Sequence, residues 1–232
     1  MQKTIKNNIE YIRQRIAEAA RRSGRAPEDI TLIAVSKLHP PQDVEDAAAC
    51  GQVDFAENKV QELLSKQPQI KADVKWHLIG HLQTNKVKNV IGKVCLIHSV
   101  DSLHLAQEID KRAAQAGIVT DILLQVNVAH EESKFGLSVE EARQLAPQIA
   151  AQFKNVKIRG LMEIAPYAED PEEVRQYFRK LRLLFDELKA TVLPDIDIMS
   201  MGMSHDFEIA IEEGATHVRV GTAIFGERDY SK

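Results

Sequence analysis

The residues best suited to chemistry sit near opposite ends of the chain. Lys37 closes the apolar run Ala34-Val35-Ser36-Lys37. Period-two alternation puts it on the same side as Ile33 and Val35, so its stem starts on an apolar face. Partial burial there lowers the pKa of an amine and frees it to attack a carbonyl, giving a Schiff base. The plain alternative is a strand-end lysine whose ammonium reaches back to water. Near the other end, Ser200-Met201-Gly202-Met203-Ser204 and His217-Val218-Arg219-Val220-Gly221-Thr222 each finish an apolar run. Gly202 and Gly221 permit close backbone approach, and Ser200 and Thr222 supply hydroxyls, a set suited to a phosphate; glycines that merely serve tight turns are the competing reading. Alternation places His217, Arg219 and Gly221 on one face. An inward-facing Arg219 needs an acceptor, either a structural carboxylate or a ligand atom. Glu57-Asn58 closes another run and can serve a ligand or an adjoining loop.

Other residues carry less. His77 and His81 are four apart in a strand–loop setting, not on a helix face, and no third metal ligand accompanies them, so they read as polar packing residues. Lys86, Lys88 and Lys93 form a basic helix face of the solvated kind. Met199, Met201 and Met203 are expected to fill gaps in the core.

These residues need a scaffold. Ile5, Ile9, Ile12 and Ile16 recur at helical spacing and predict a one-faced helix over about residues 3–22, ended by Ser23-Gly24. Short apolar runs at 31–36, 53–56, 75–80, 95–100, 121–128, 157–163, 196–201 and 217–221 read as strands. Helical stripes lie between them, at 102–116 and 171–190. Ser138-Val139-Glu140-Glu141 reads as a capping box, and Asp170-Pro171-Glu172-Glu173 as an N-cap with proline at the first helical position. Strands alternating with helices imply parallel β/α units. Their number predicts an α/β fold of one kind, a single (β/α)8 TIM-type barrel with an additional N-terminal helix. An open doubly wound sheet is the rival, but it usually shows a glycine-rich turn after its first strand, where this chain has Lys37-Leu38-His39-Pro40-Pro41. One domain over 1–232 is expected, with residues 1–24 packing on it as a helix. In such a barrel the strand carboxyl ends converge, which is where Lys37 and the Arg219 run fall.

Composition narrows the classes. The 232 residues include 44% hydrophobic and 28% charged residues, an ordinary globular balance. Thirty Lys+Arg against 34 Asp+Glu leave a net charge of −4, which argues against a dedicated nucleic-acid binder. No apolar run approaches the roughly 18–20 residues that span a bilayer, so no membrane role is expected. Cys50 and Cys95 need not pair in a chain of this length, and a cytoplasmic location is expected.

Several stretches together resemble the pyridoxal phosphate homeostasis proteins (the YggS/PROSC group). They are Ala34-Val35-Ser36-Lys37, Glu57-Asn58 before Val60-Gln61-Glu62, Trp76-His77-Leu78-Ile79-Gly80 with Leu82-Gln83-Thr84-Asn85-Lys86, and Ser133-Lys134-Phe135-Gly136. Gly160-Leu161-Met162, Ser200-Met201-Gly202-Met203-Ser204 and Val218-Arg219-Val220-Gly221-Thr222-Ala223-Ile224-Phe225-Gly226 complete the set. The resemblance implies a barrel like the N-terminal domain of alanine racemase. It further implies pyridoxal 5′-phosphate held as a Schiff base on Lys37, with Ser200, Gly221 and Thr222 on the phosphate and Arg219 facing the pyridine nitrogen. Asn58 and Gly202 join that cofactor-binding set; no catalytic or metal-ligating residue is implied. An arginine leaves the ring neutral and a poor electron sink, so the expected role is to hold the cofactor for vitamin B6 balance without robust turnover. Implied partners are the cofactor and pyridoxal-dependent apo-enzymes, for a monomer or weak homodimer. The alternative is an amino-acid racemase or other pyridoxal enzyme, whose second base would come from Tyr167, from His81 or from a partner subunit. A more distant reading is a Schiff-base aldolase. Ala56, Lys59 and His205 depart from the family pattern, and Lys59 stands where a ring contact from a tyrosine is usual.

Overall fold

A computed structural model of the protein describes residues 4–131 and 134–227; Ser133 and Tyr230 lie outside them. Runs that are apolar on both alternating faces suit strands covered on both sides, as parallel strands are. All eight expected runs form such strands: β1 (Thr31–Val35), β2 (Asp54–Glu57), β3 (Lys75–Leu78), β4 (Leu96–Val100), β5 (Thr120–Gln125), β6 (Val156–Met162), β7 (Ile198–Ser200) and β8 (His217–Val220). They pair in chain order, and β8 returns to pair with β1, closing a parallel barrel. The barrel expectation holds, and the open-sheet rival does not.

The helices are α1 (Ile5–Arg22), α2 (Pro41–Ala49), α3 (Val60–Lys66), α4 (Leu103–Ala116), α5 (Val139–Gln152), α6 (Arg175–Thr191), α7 (Phe207–Glu212) and α8 (Thr222–Phe225). Ser138 and Glu141 make the expected reciprocal cap of α5. Asp170 caps a 3-10 turn over Pro171–Val174 that precedes α6, so the α-helix starts later than its sequence signal. Between β3 and β4 the chain forms a 3-10 segment, Thr84–Asn89, not an α-helix. Lys86 and Lys88 sit on it.

Helix α1 buries Ile9, Ile12 and Ile16 and packs against α2, α7 and α8. Each isoleucine contributes about 1.5–3 kcal/mol by leaving water. The ion pairs Arg15–Glu208 and Arg22–Glu212 are half-open to solvent and add less, about 1 kcal/mol at most each. Asn8 donates to the Ile224 carbonyl at 2.7 Å, tying α1 to the end of the chain that follows β8.

Inside the barrel, alternation leaves two small apolar clusters. One holds Leu96, Leu123, Met162 and Ile198; the other holds Ile33, Val35 and Ala56. The rest of the interior is polar to an unusual degree, with His77, His98, Ser200 and Arg219 all buried. Register does the positioning that matters for a site. Ile33 lies opposite Arg219 and Val35 opposite Ala56, so the chain segments carrying Lys37, Asn58 and Gly221 leave the barrel side by side.

Candidate functional site

At the carboxyl ends of the strands a cleft of about 650 Å³ is lined by Lys37, Asn58, Arg219, Gly221 and Thr222, together with Ser204 and residues of the rim. Five of the residues predicted from sequence therefore meet. Ser200 and Gly202 do not line the cleft.

Lys37 is half-buried, and the residues on both sides of it are fixed by one buried network. Lys66, at the end of α3, donates to the Ser36 carbonyl at 2.7 Å, to Glu57 Oε1 at 2.8 Å and to Glu62 Oε1 at 2.6 Å. Ser36 Oγ donates to the same Glu57 oxygen at 2.7 Å. Glu62 Oε1 accepts the Leu38 amide at 2.5 Å, where the backbone turns left-handed with φ 65°. Burial pushes the Glu57 carboxyl up to about 7, against the pull of Lys66 and Ser36. The two readings of Glu57-Asn58 thus separate: Glu57 serves the adjoining loop, while Asn58 faces the cleft. Gly80 makes Asn58 possible, because a Cβ there would fall 2.2 Å from the Asn58 carbonyl oxygen.

Arg219 is 4% exposed, and it donates to Ser200 Oγ at 2.6 Å and to the Glu163 carbonyl at 2.7 Å. Its direct acceptors are thus a hydroxyl and a main-chain carbonyl, while the Asp206 and Glu163 carboxyls act only through their fields. Burial lowers its pKa to about 10, below the ordinary arginine value assumed from sequence. Glu163 is pushed up to about 8 by burial, and its Oε1 has no partner among the described residues.

Ser200 closes β7 and points inward, fully buried beneath Arg219 and 3.0 Å from His98 Nδ1. It supports the guanidinium and is not part of the cleft wall. Gly202 adopts φ 89°, and a Cβ on it would sit 2.6 Å from that of Ala210. Its role is to let α7 approach β7, the turn reading of that glycine. The serine hydroxyl at the cleft belongs to Ser204, whose Oγ accepts the amides of Gly221 at 3.3 Å and Ala223 at 3.4 Å. Ser204 was legible as the second serine of the Ser-Met-Gly-Met-Ser run, but the first had the better strand position.

The rim is aromatic. Phe135 stacks on His81 with centroids 3.9 Å apart, and Tyr167 on His205 at 5.8 Å. Met203 joins them partly exposed, whereas Met199 and Met201 lie in the core as expected. His77 points into the barrel and His81 into the cleft, so they do not converge; no group of three metal-ligating side chains occurs among the described residues. Lys59 is exposed and outside the cleft, and Ala56 is buried inside the barrel. No described helix is long and apolar enough to cross a membrane.

Residues 3–229 match the family described as alanine racemase, N-terminal domain. The chain is 50% identical over 223 residues to the pyridoxal phosphate homeostasis protein of Aquifex aeolicus, covering 96% of this chain and 97% of that one. The Escherichia coli protein of the same name is 41% identical over 235 residues, with 98% of each chain covered. Among solved structures, PipY of Synechococcus elongatus with PLP bound is 39% identical, with a TM-score of 0.79 over 91% of this chain and 100% of its own. A Clostridium difficile alanine racemase shares the fold at 17% identity and TM-score 0.74, over 95% of this chain and 57% of its own.

Proposed function

This chain belongs to the alanine racemase N-terminal-domain family and, within it, to the pyridoxal phosphate homeostasis proteins, and on that premise we propose that its carboxyl-end cleft binds pyridoxal 5′-phosphate (PLP) for the balance of that cofactor in the cell. The observation that carries the reading is the meeting of an amine, a fixed guanidinium and an unsatisfied amide in one cleft. Asn58 Oδ1 is buried there without a partner among the described residues, so the wall keeps bonding capacity that the chain does not use.

The residues present suit the group. Lys37 would hold it covalently, Ser204, Gly221 and Thr222 would meet its phosphate, Asn58 its ring substituents and Arg219 its ring nitrogen. Ser200 and Gly202 support that wall from behind. When bound, PLP supplies an aldehyde that an amine captures with loss of water, and a ring that can draw off electrons. Arg219 decides how far the second property is used. With a pKa of about 10 it stays charged near neutral pH and keeps its protons, so it offers a hydrogen bond and no proton. The site is thereby better suited to holding the cofactor than to turnover. Tyr167 fits the same reading, since it is 84% exposed on the rim and stacked on His205. The proposal extends to a cytoplasmic monomer or weak homodimer that exchanges PLP with apo-enzymes.

Absorbance titration of the purified protein with PLP tests the binding claim. A visible band that saturates at one equivalent and is lost in Lys37→Ala supports it; a protein that takes up no PLP overturns it. Incubating the loaded protein with single amino-acid enantiomers then separates holding from racemisation, and enantiomeric purity is expected to persist.

A further inference from the structure

Arg219 is the cleft end of a hydrogen-bonded chain that crosses the whole barrel. Its Nη1 meets Ser200 Oγ at 2.6 Å, Ser200 Oγ lies 3.0 Å from His98 Nδ1, His98 Nε2 lies 3.0 Å from His77 Nδ1, and His77 Nε2 lies 3.0 Å from Asp54 Oδ1. The five residues come from β8, β7, β4, β3 and β2. Asp54 and His77 line a second cavity, at the amino ends of the strands, while His98 and Ser200 are wholly buried between the two ends.

The chemistry of the groups fixes the direction of the chain. Arginine only donates, so Ser200 Oγ accepts from it. The serine proton is then available for His98 Nδ1, which accepts. His98 must carry its own proton on Nε2 and donate to His77 Nδ1, and His77 in turn carries its proton on Nε2 and donates to the Asp54 carboxylate. Every donor in this direction has an acceptor. The reverse direction would turn the bare Nε2 of His77 toward a carboxylate, with only the weak thiol donor of Cys95, 3.4 Å away, to meet it, unless one more proton entered there. Full burial of His98 among His77, His217 and Arg219 disfavours a charged ring at that one position.

The geometry points to His98 as a positioning residue for Arg219, with His77 and Asp54 anchoring it from the opposite mouth of the barrel. The chain holds the Ser200 hydroxyl in one orientation, and that hydroxyl is one of the two acceptors holding the guanidinium. Asp54 would then influence the cleft without touching it. The tautomer assignment stands independently of ligand identity, whereas the effect on bound PLP rests on the function proposed above.

Two measurements test this. In histidine-15N-labelled protein without added PLP, both His77 and His98 are expected to carry a proton on Nε2 and to accept at Nδ1. A His98 protonated on Nδ1, or on both nitrogens, would overturn the assignment. In PLP titrations, His98→Leu removes the acceptor for Ser200 and is expected to weaken binding about tenfold and shift the visible band of the bound cofactor. His98→Gln, which can restore an acceptor, should recover most of both. Asp54→Asn should shift the band in the same direction, while Asp197→Asn, in the same amino-end cavity but outside the chain, should not. Thermal unfolding read alongside separates loss of fold from loss of positioning. A folded His98→Leu protein with wild-type affinity and spectrum would sink the positioning role. A wild-type protein that binds no PLP would instead sink the functional reading, and the tautomers would still decide the direction of the chain.

Discussion

The two mouths of the barrel hold cavities of similar size, about 650 Å³ at the carboxyl ends and about 610 Å³ at the amino ends, yet they differ in what their polar groups do. At the amino end most of the polar groups are paired within the chain. Arg159 binds Asp121 and Asp197, both at 2.6 Å, Asp54 accepts from His77, and Arg25 donates to the Ala215 carbonyl at 2.7 Å. At the carboxyl end Asn58 keeps an unmet oxygen, and the Lys37 loop and Arg219 are braced from behind by residues that do not enter the cleft. Volume therefore does not identify the site. Unspent bonding capacity on a braced wall does, in keeping with the rule that barrel sites form where the βα loops meet.

This contrast can be broken in graded ways. The largest expected effect comes from Lys66→Met. It strips Glu57 of its buried partner, and the loss of such a partner typically costs about 3–5 kcal/mol. Urea unfolding should show that loss, and refolded protein should take up PLP more slowly because the Ser36 carbonyl loses its donor and Glu62, which holds the Leu38 amide, loses its anchor. An unchanged midpoint would mean that the network does not brace the lysine loop.

Next comes pH. Glu163 has a folded pKa of about 8 against an ordinary 4.5, so the folded state keeps a proton that the unfolded state releases earlier. Its contribution is fully present below about pH 4.5 and is lost as pH rises toward 8, with a slope of at most about 1.4 kcal/mol per pH unit. Glu163→Gln should flatten the stability curve in that window. A curve as steep as the wild type would contradict the assignment.

The smallest effect is expected at the other mouth. Arg159→Ala opens a partly exposed cluster and should cost about 1 kcal/mol, with PLP affinity unchanged. A large loss of affinity there would erase the distinction between the two ends.

Much of the scaffold was legible in the chain. The isoleucine stripe of α1, the Ser138–Glu141 cap and the strand runs all follow local periodicity, and strand bounds moved by at most three residues. Lys37, Asn58, Arg219, Gly221 and Thr222 were legible because each falls at a strand carboxyl end, where the fold itself brings neighbours together. The bracing was not. Lys66 reads as an ordinary helix-terminal lysine paired with Glu62 one turn earlier, since its other acceptors, Ser36 and Glu57, come from separate segments. His98 reads as one polar residue in an apolar run. Only the list of inward positions on all eight strands, with His77, His98, Ser200 and Arg219 among them, would have exposed the chain that links them. Ser204 and not Ser200 lines the cleft because β7 ends at Ser200 and the chain runs on through the loop before a serine meets the Gly221 amide, a distance that strand alternation does not report.

The most direct test of the contrast is reduction of the PLP-loaded protein with borohydride, followed by peptide mapping of the modified lysine. Lys37 opens onto the carboxyl-end cleft, and Lys75 onto the amino-end cavity. One adduct per chain on Lys37 is the predicted result. An adduct on Lys75, or label spread over surface lysines and undiminished in Lys37→Ala, would contradict the account.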